Sequence, residues 1–151
     1  MCSSATIVRK VLFTISKNQN KNIVVYDIKL NEKGEIINNN PIEVYWLIYT
    51  NKKYIKTSIN KLEEKAYGFK LTNKDNQLVL TLIAQPKRKI YIKNTPHGPK
   101  AVTYINNKQA FLSNVYVCTN LKNIVFPKVI YYTLTGTDIL NGVQLLEKVF
   151  I

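Results

Sequence analysis

The chain has 151 residues, with 22 Lys and Arg against 9 Asp and Glu, and carries a formal net charge of +13. This length predicts one domain that buries its own hydrophobic core without a metal or disulfide staple. One His and two Cys are too few for the usual zinc shells, so no metal and no cofactor are expected. The charge indicates an acidic partner, although the joint excess of Lys, Asn and Ile typical of an A/T-rich coding sequence would produce it without selection for binding.

Apolar and aromatic residues alternate with polar ones along most of the chain, which predicts β-strands. Residues 1–6 are predicted to be a flexible N-terminus and residues 7–151 a single β domain. The predicted strand segments cover residues 7–16, 23–30, 41–50, 69–72, 77–85, 89–93, 101–105, 109–112, 115–121, 128–137 and 143–150. Asn106-Asn107 and Asn141-Gly142 are dipeptides that favour hairpin turns.

The strand at residues 41–50 has two usable faces. Its Ile42, Val44, Trp46 and Ile48 alternate onto one apolar face, which we assign to the core. The opposite face is amphipathic. A strand of this kind is typical of the interior of a sheet rather than its edge, and we expect Trp46 to be buried.

One short helix is predicted at residues 60–67. Asn60 and Glu63 have the spacing of a capping box, and Gly68 is predicted to end the helix. No helical run separates successive strands, so we expect antiparallel pairing. The predicted fold is all-β with one short helix, an antiparallel β-sandwich or β-barrel of about eight to ten strands, with the helix capping one end or covering one edge.

The N-terminal residues do not have the pattern of a secretory leader, because Arg9 and Lys10 interrupt the only early apolar run. No apolar run is long enough to span a membrane as a helix. A cytoplasmic location is therefore the expectation.

The strongest candidate for a binding surface is a basic face formed by Lys87, Arg88, Lys89, Tyr91 and Lys93. Alternation places Lys89, Tyr91 and Lys93 on one side of their strand. Basic residues interleaved with an aromatic ring suit an acidic protein surface or an anionic membrane, and a nucleic acid less well because Arg is nearly absent. The alternative interpretation is a solvated edge strand on which Lys prevents edge pairing.

Four aromatic residues, Tyr45, Tyr49, Phe111 and Tyr131, are candidates for lining a pocket or an interface. The alternative for these residues is ordinary core packing. No phosphate-binding loop, dinucleotide fingerprint or nucleophile elbow is present, which makes an enzyme the less favoured class, and no catalytic residue is assigned.

Two carboxylates and one histidine remain as candidates for chemistry. Asp27 and Glu43 lie within apolar strands and would form an acid–base pair if those strands pair around one cavity; otherwise each points outward beside a cross-strand Lys. His97 lies in a predicted loop at residues 94–99 and is interpreted as an exposed loop residue. Gly136-Thr137-Asp138 is interpreted as a bulge or bend at a strand end.

Several short strings resemble one family. They are Asn20-Lys21-Asn22 before Val25-Tyr26, Val44-Tyr45-Trp46, Ala66-Tyr67-Gly68, Arg88-Lys89, Ala110-Phe111-Leu112, and Gly136-Thr137-Asp138 before Glu147-Lys148. In their order and spacing, from about residue 12 to residue 150, they resemble the domain of unknown function family numbered 4833, with bacterial and protist members. The resemblance implies no established activity and no catalytic residues.

Three functions remain open from the sequence. The first is a non-enzymatic binding or scaffold module whose basic face engages an acidic partner, such as an acidic cytoskeletal or other protein surface or an anionic membrane. The second is a lipocalin-like β-barrel carrier of an apolar small molecule. The third is a hydrolase or lyase. A large apolar cavity would favour the second, and a cleft containing Asp27, Glu43 or His97 would favour the third.

Overall fold

The computed structural model describes residues 6–120 and 128–151, so the expected flexible N-terminus lies almost entirely outside the described residues, as does Leu121 at the end of one predicted strand. The alternation of apolar and polar residues gives eleven strands, and the chain also forms one short helix. They are β1 (Val8–Lys17), β2 (Ile23–Leu30), β3 (Ile42–Thr50), β4 (Lys53–Ser58), α1 (Glu64–Tyr67), β5 (Phe69–Lys74), β6 (Gln77–Leu82), β7 (Lys89–Thr95), β8 (Gly98–Ile105), β9 (Lys108–Asn120), β10 (Lys128–Asp138) and β11 (Gln144–Phe150).

All eleven strands belong to one sheet that is organised around the long strand β9. Strand β10 follows one edge of β9 and carries β11 on its far side. On the other edge, β8 pairs with residues 108–111 and β1 pairs with residues 114–117. The sheet therefore divides at β9 into a first arm, β1–β4, and a second arm, β5–β8.

The inner faces of the two arms meet in one hydrophobic cluster. Phe13 stacks on Tyr26 in the first arm with ring centroids 4.5 Å apart, and Leu80 and Ile90 from the second arm belong to the same cluster. In the described chain, the outermost strands β4 and β5 do not pair with each other, so the sheet is not closed. The all-β prediction is confirmed, as an open sheet folded over its core.

The pairing is antiparallel throughout except between β1 and β9, which run parallel. The expectation of purely antiparallel pairing is therefore wrong at this one junction. It joins residues about 100 positions apart, such as Ile15 and Val115, and no local pattern encodes so distant a partner. Trp46 is 5% exposed, which confirms its place in the core, and β3 lies between β2 and β4 as an interior strand.

Turn residues explain most strand ends. Asn106-Asn107 forms the expected primed turn, with both φ angles positive, and joins β8 directly to β9. The expected loop at residues 94–99 is wrong, since β7 and β8 extend until only Pro96 and His97 lie between them. Here Gly98 takes a φ of +100°, which a tight turn requires and glycine tolerates.

The helix is shorter than predicted, but its capping box forms. The Asn60 N–H donates to Glu63 Oε1 at 2.9 Å, and the Glu63 N–H donates to Asn60 Oδ1 at 2.8 Å. Gly68 ends the helix, as predicted, but with a negative φ, so a left-handed conformation is not what selects glycine. A Cβ there would lie 2.2 Å from the Glu64 carbonyl oxygen, and this close approach is the reason.

Candidate functional site

The predicted basic face lies on the outer side of the second arm. In β7, Ile90 and Ile92 point into the core with 1% and 5% exposure. Lys89, Tyr91 and Lys93 therefore point away from it, as alternation predicts. Since β7 pairs with both β6 and β8, these residues lie on an interior strand, and the alternative interpretation as a guarded edge strand does not apply.

Four of the five predicted residues converge on one surface groove with a volume of about 480 Å³, which we call the basic groove. Two further tyrosines, from β8 and β10, complete it. The residues that line the basic groove are Gln85, Lys87, Arg88, Lys89, Tyr91, Thr103, Tyr104 and Tyr132. Lys93 does not line it but lies two residues farther along the same face of β7.

Arg88 differs from the neighbouring lysines because its guanidinium is held within the protein. Its Nη1 donates to the Tyr104 carbonyl oxygen at 2.7 Å, and its Nη2 lies 3.7 Å from Glu147 Oε2. Its Nε is buried without a partner. Arg88 thus ties the turn before β7 to β8 and β11, and it shapes the basic groove more than it offers free charge.

Beyond the basic groove the positive charge continues along the same face. Lys93 lies directly opposite Lys100 in the β7–β8 pair, and like charges in such positions repel. Lys10 extends from β1 to donate from Nζ to the His97 carbonyl oxygen at 2.6 Å. Burial, followed by the nearby Lys100 charge, lowers the pKa of Lys10.

The four candidate aromatic residues occupy separate places, and each lies beneath a lysine ammonium. The distances from Nζ to ring centroid are 4.8 Å for Lys21 over Tyr49, 4.4 Å for Lys56 over Tyr45, 4.7 Å for Lys100 over Phe111 and 4.4 Å for Lys148 over Tyr131. Such contacts stabilise exposed rings modestly. Phe111 also lines a groove beside Lys10 and Lys100, whereas the four do not share one pocket.

The first arm brings Asp27 and Glu43 together as direct cross-strand partners. Glu43 accepts from Arg9 Nε at 2.6 Å and lies 3.1 Å from Lys56 Nζ, and the Arg9 hydrogen bond lowers its pKa. Asp27 accepts from the Tyr45 hydroxyl at 2.8 Å.

Burial raises the pKa of Asp27, whose Oδ1 has no partner. Burial and the Asp27 hydrogen bond raise the pKa of Tyr45 to about 12. Two carboxylates with opposite pKa shifts are the arrangement of an acid–base pair. Neither carboxylate lines the basic groove or the groove beside Lys10 and Lys100, however, so neither groove would bring a substrate to this pair.

The remaining sequence candidates have structural roles. His97 is exposed at the β7–β8 turn, where its N–H donates to Thr95 Oγ1 at 3.1 Å. Gly136 lies at a register shift between β9 and β10, which is the bulge the sequence indicates. Asp138 is buried, and its Oδ1 accepts from the Leu140 N–H at 2.8 Å within the turn to β11.

The sequence did not identify the residues from other strands that lie beside the predicted basic residues. Tyr104 and Tyr132 in the basic groove, and Lys100 opposite Lys93, come from β8 and β10. The signal for Lys100 and Tyr104 was their alternation with Ala101 and Thr103, which places them on the outer face of β8. No local signal could have placed Tyr132, because its position depends on the pairing of β10 with β9.

Comparison with known proteins gives one match. A family model described as Domain of unknown function (DUF4833) matches residues 13–148, nearly the whole chain, in agreement with the resemblance seen in the sequence. No curated protein and no solved structure matches. Within residues 6–120 and 128–151, no helix is long and apolar enough to cross a membrane, and no three His, Cys, Asp or Glu side chains are grouped to hold a metal ion.

Proposed function

The chain belongs to the family described as Domain of unknown function (DUF4833), and because that description names no activity, we propose a function from the site alone. The protein is a non-enzymatic binding module whose basic groove engages an acidic segment of a protein partner. A cytoplasmic location, expected from the sequence, is part of this proposal.

The observation that carries the proposal is the concentration of unpaired positive charge at the basic groove. In the described ranges, Lys87, Lys89 and Lys93 make no ion pair, and none of the groove's lining residues is a carboxylate. Lys93 and Lys100 face each other. An acidic partner would relieve this repulsion and would be attracted from a distance by the net charge.

The shape of the site favours a protein segment over a membrane surface. The basic groove is concave and contains three tyrosines, and a groove of this kind accepts the side chains of a peptide, whereas a bilayer presents a broad headgroup layer. Nucleic acid is less favoured because Arg88, the one arginine among the lining residues of the basic groove, is held by Tyr104 and Glu147. Arginine is the residue best suited to bidentate phosphate contacts.

The proposal is tested with a triple variant, Lys87→Glu, Lys89→Glu and Lys93→Glu, which leaves Arg88 and its contacts in place. The probe is a fluorescent peptide of alternating Glu and Asp with a central Tyr, measured by anisotropy over a range of salt concentrations. We expect the variant to bind more than about tenfold more weakly, because three charges that attract the acidic peptide are replaced by three that repel it. Wild-type binding should weaken as salt rises.

A matched control changes Lys33, Lys53 and Lys74 to Glu, an equal change of charge at exposed positions outside the basic groove. This control should keep most of the wild-type affinity. Equal losses in both variants would mean that the attraction is diffuse and the basic groove has no special role. Stronger binding of phosphatidylserine vesicles or oligothymidylate than of the peptide would reject the protein-segment assignment.

A further inference from the structure

A further cavity, which shares only Gln85 and Tyr132 with the basic groove, opens between the ends of the two arms. Its volume is about 330 Å³, at the lower end of the range for small-molecule pockets. We call it the inter-arm cavity, and it is lined by Ile15, Lys17, Gln19, Ala66, Tyr67, Leu82, Ala84, Gln85, Val115, Val117, Thr119, Val129, Tyr132 and Ile151. Aliphatic side chains predominate, and among these described residues Lys17 has the one charged side chain.

Lys17 ends β1 and directs its ammonium group toward two aromatic rings. Nζ lies 4.7 Å from the Trp46 ring centroid and 5.9 Å from that of Tyr67, and it donates to the Tyr67 hydroxyl at 3.4 Å. Burial lowers the pKa of Lys17. The two rings form a corner that fixes the ammonium at the cavity wall, because cation–π contacts are directional.

The nearby carboxylate of Glu63 already accepts hydrogen bonds from other residues. Its Oε2 accepts from Trp46 Nε1 at 2.7 Å, and its Oε1 accepts from the Asn60 N–H at 2.9 Å. In the part of the chain that the structure describes, Lys17 therefore forms no ion pair. A half-buried ammonium without a direct anion is unfavourable, and a ligand that brings an anion would offset that cost.

We propose that the inter-arm cavity binds an aliphatic monocarboxylic acid, with its carboxylate on Lys17 and its chain against Ile15, Val115 and Val117. The three aliphatic residues lie on β1 and β9, and Lys17 pairs directly with Val117 in the parallel register. A single cationic side chain beside a mainly aliphatic wall matches a ligand with one charged end. The assignment does not depend on the basic groove.

The sheet's open form is compatible with this ligand. A closed barrel would enclose its ligand within the strands, whereas here the cavity lies between the end of β1, the helix α1, and strands β6, β9 and β10. Tyr67 of α1 is held in place at the opening because its carbonyl oxygen accepts from the Tyr26 hydroxyl at 2.6 Å.

The experiment compares decanoate with 1-decanol, two probes that share a chain and differ in charge. Affinity is measured by calorimetry, and Trp46, the only tryptophan, reports by its fluorescence whether the ligand lies beside Lys17. We expect wild-type protein to bind decanoate saturably with a change in Trp46 emission. Lys17→Met should weaken decanoate binding by about tenfold or more and leave decanol binding within about twofold, because only the charged contact is lost.

Lys21→Met is the matched control, since Lys21 also covers a ring, that of Tyr49, but does not line the inter-arm cavity. It should bind decanoate as the wild type does. Val117→Phe fills the cavity and should reduce binding of both probes. No saturable decanoate binding to wild type, or unchanged decanoate affinity in Lys17→Met, would overturn the proposal; unchanged binding in a folded Val117→Phe protein would overturn the location.

Discussion

The outer faces of the two arms carry similar charged residues in opposite arrangements. On the first arm, Glu43 lies between Arg9 and Lys56, within 2.6 Å and 3.1 Å of their nitrogen atoms. On the second arm, Lys93 faces Lys100. Within the described residues, Glu43 of the first arm neutralises Arg9 and Lys56, whereas Lys93 and Lys100 of the second arm form no ion pair.

This difference shows which part of a net charge is available to a partner. Cations that are paired within the fold contribute little to attraction, and cations that repel one another gain most from an external anion. Compositional bias supplies lysines to both arms alike. The arrangement of the cations, and not their number, is therefore the reason for proposing the second arm as the binding surface.

Both outer faces lie over the same packed core, and the largest expected effect is on this core, at Trp46. Trp46→Ala should lower the free energy of unfolding by about 3–5 kcal/mol, because the ring is buried and packs edge-on against Tyr67, with centroids 5.1 Å apart. Tyr54→Ala, at an exposed ring on the neighbouring strand, should change it by less than about 1 kcal/mol. Urea unfolding measures both, and comparable losses would show that the core is not centred on Trp46.

The variant Asp27→Asn tests the charge environment on the first arm. Burial raises the pKa of Asp27, so the folded state binds a proton more tightly than the unfolded state does. Its ionised carboxylate therefore destabilises the protein above the folded-state pKa, and this cost disappears as the pH falls below the ordinary Asp value. Asp27→Asn should increase the free energy of unfolding by about 1 kcal/mol at pH 7, with the gain vanishing toward acid pH.

Glu43→Gln is the control, and its expected change in the free energy of unfolding has the opposite sign. Arg9 lowers the pKa of Glu43, so the stabilisation from Glu43 is present above the ordinary Glu value and is lost as the pH falls through the lower folded-state pKa. The variant should therefore be less stable than wild type at pH 7, by about 0.2–1 kcal/mol. Thermal unfolding measured from neutral to acid pH distinguishes the effects of Asp27→Asn and Glu43→Gln. If the stabilities of both variants changed with pH in the same way, Asp27 and Glu43 would not have opposite pKa shifts.

The smallest expected effect concerns the second arm. Lys93→Glu replaces the repulsion of Lys100 by attraction and should stabilise the protein by a few tenths of a kcal/mol, with the gain shrinking as salt is added. Lys53→Glu, opposite Thr50 at the edge of the first arm, should be close to neutral. Urea midpoints at low and high salt measure the difference, and equal midpoints for the two variants would show that Lys93 and Lys100 do not repel measurably.

Local chemistry in the sequence was sufficient to place several elements. Alternation defines the bounds of β2, and the Asn60–Glu63 spacing gives the capping hydrogen bonds. Strand β4 was missed because all six of its residues are exposed and so show no inward-facing alternation. Its preceding turn uses positive φ angles at Asn51 and Lys52, a conformation that lysine seldom signals.

The candidate sites depended more strongly on distant pairing. Alternation placed Lys89, Tyr91 and Lys93 on one face, but it could not show that Arg88 is tied to Tyr104 and Glu147. Lys17 carried no local signal at all, since its aromatic neighbours Trp46 and Tyr67 come from other elements. A parallel contact across about 100 residues created the inter-arm cavity, and such contacts are set by the whole fold.

The hydrogen bond from the Tyr132 hydroxyl to Gln85 Oε1, 3.0 Å long, lies in a wall common to the basic groove and the inter-arm cavity, because both residues line both spaces. An occupant on one side that turns either side chain alters the wall presented to the other. By thermodynamic reciprocity, if one occupant changes the affinity of the second by some factor, the second changes the affinity of the first by the same factor. Two ligands of unlike chemistry would in this way regulate each other through a single tyrosine–glutamine pair.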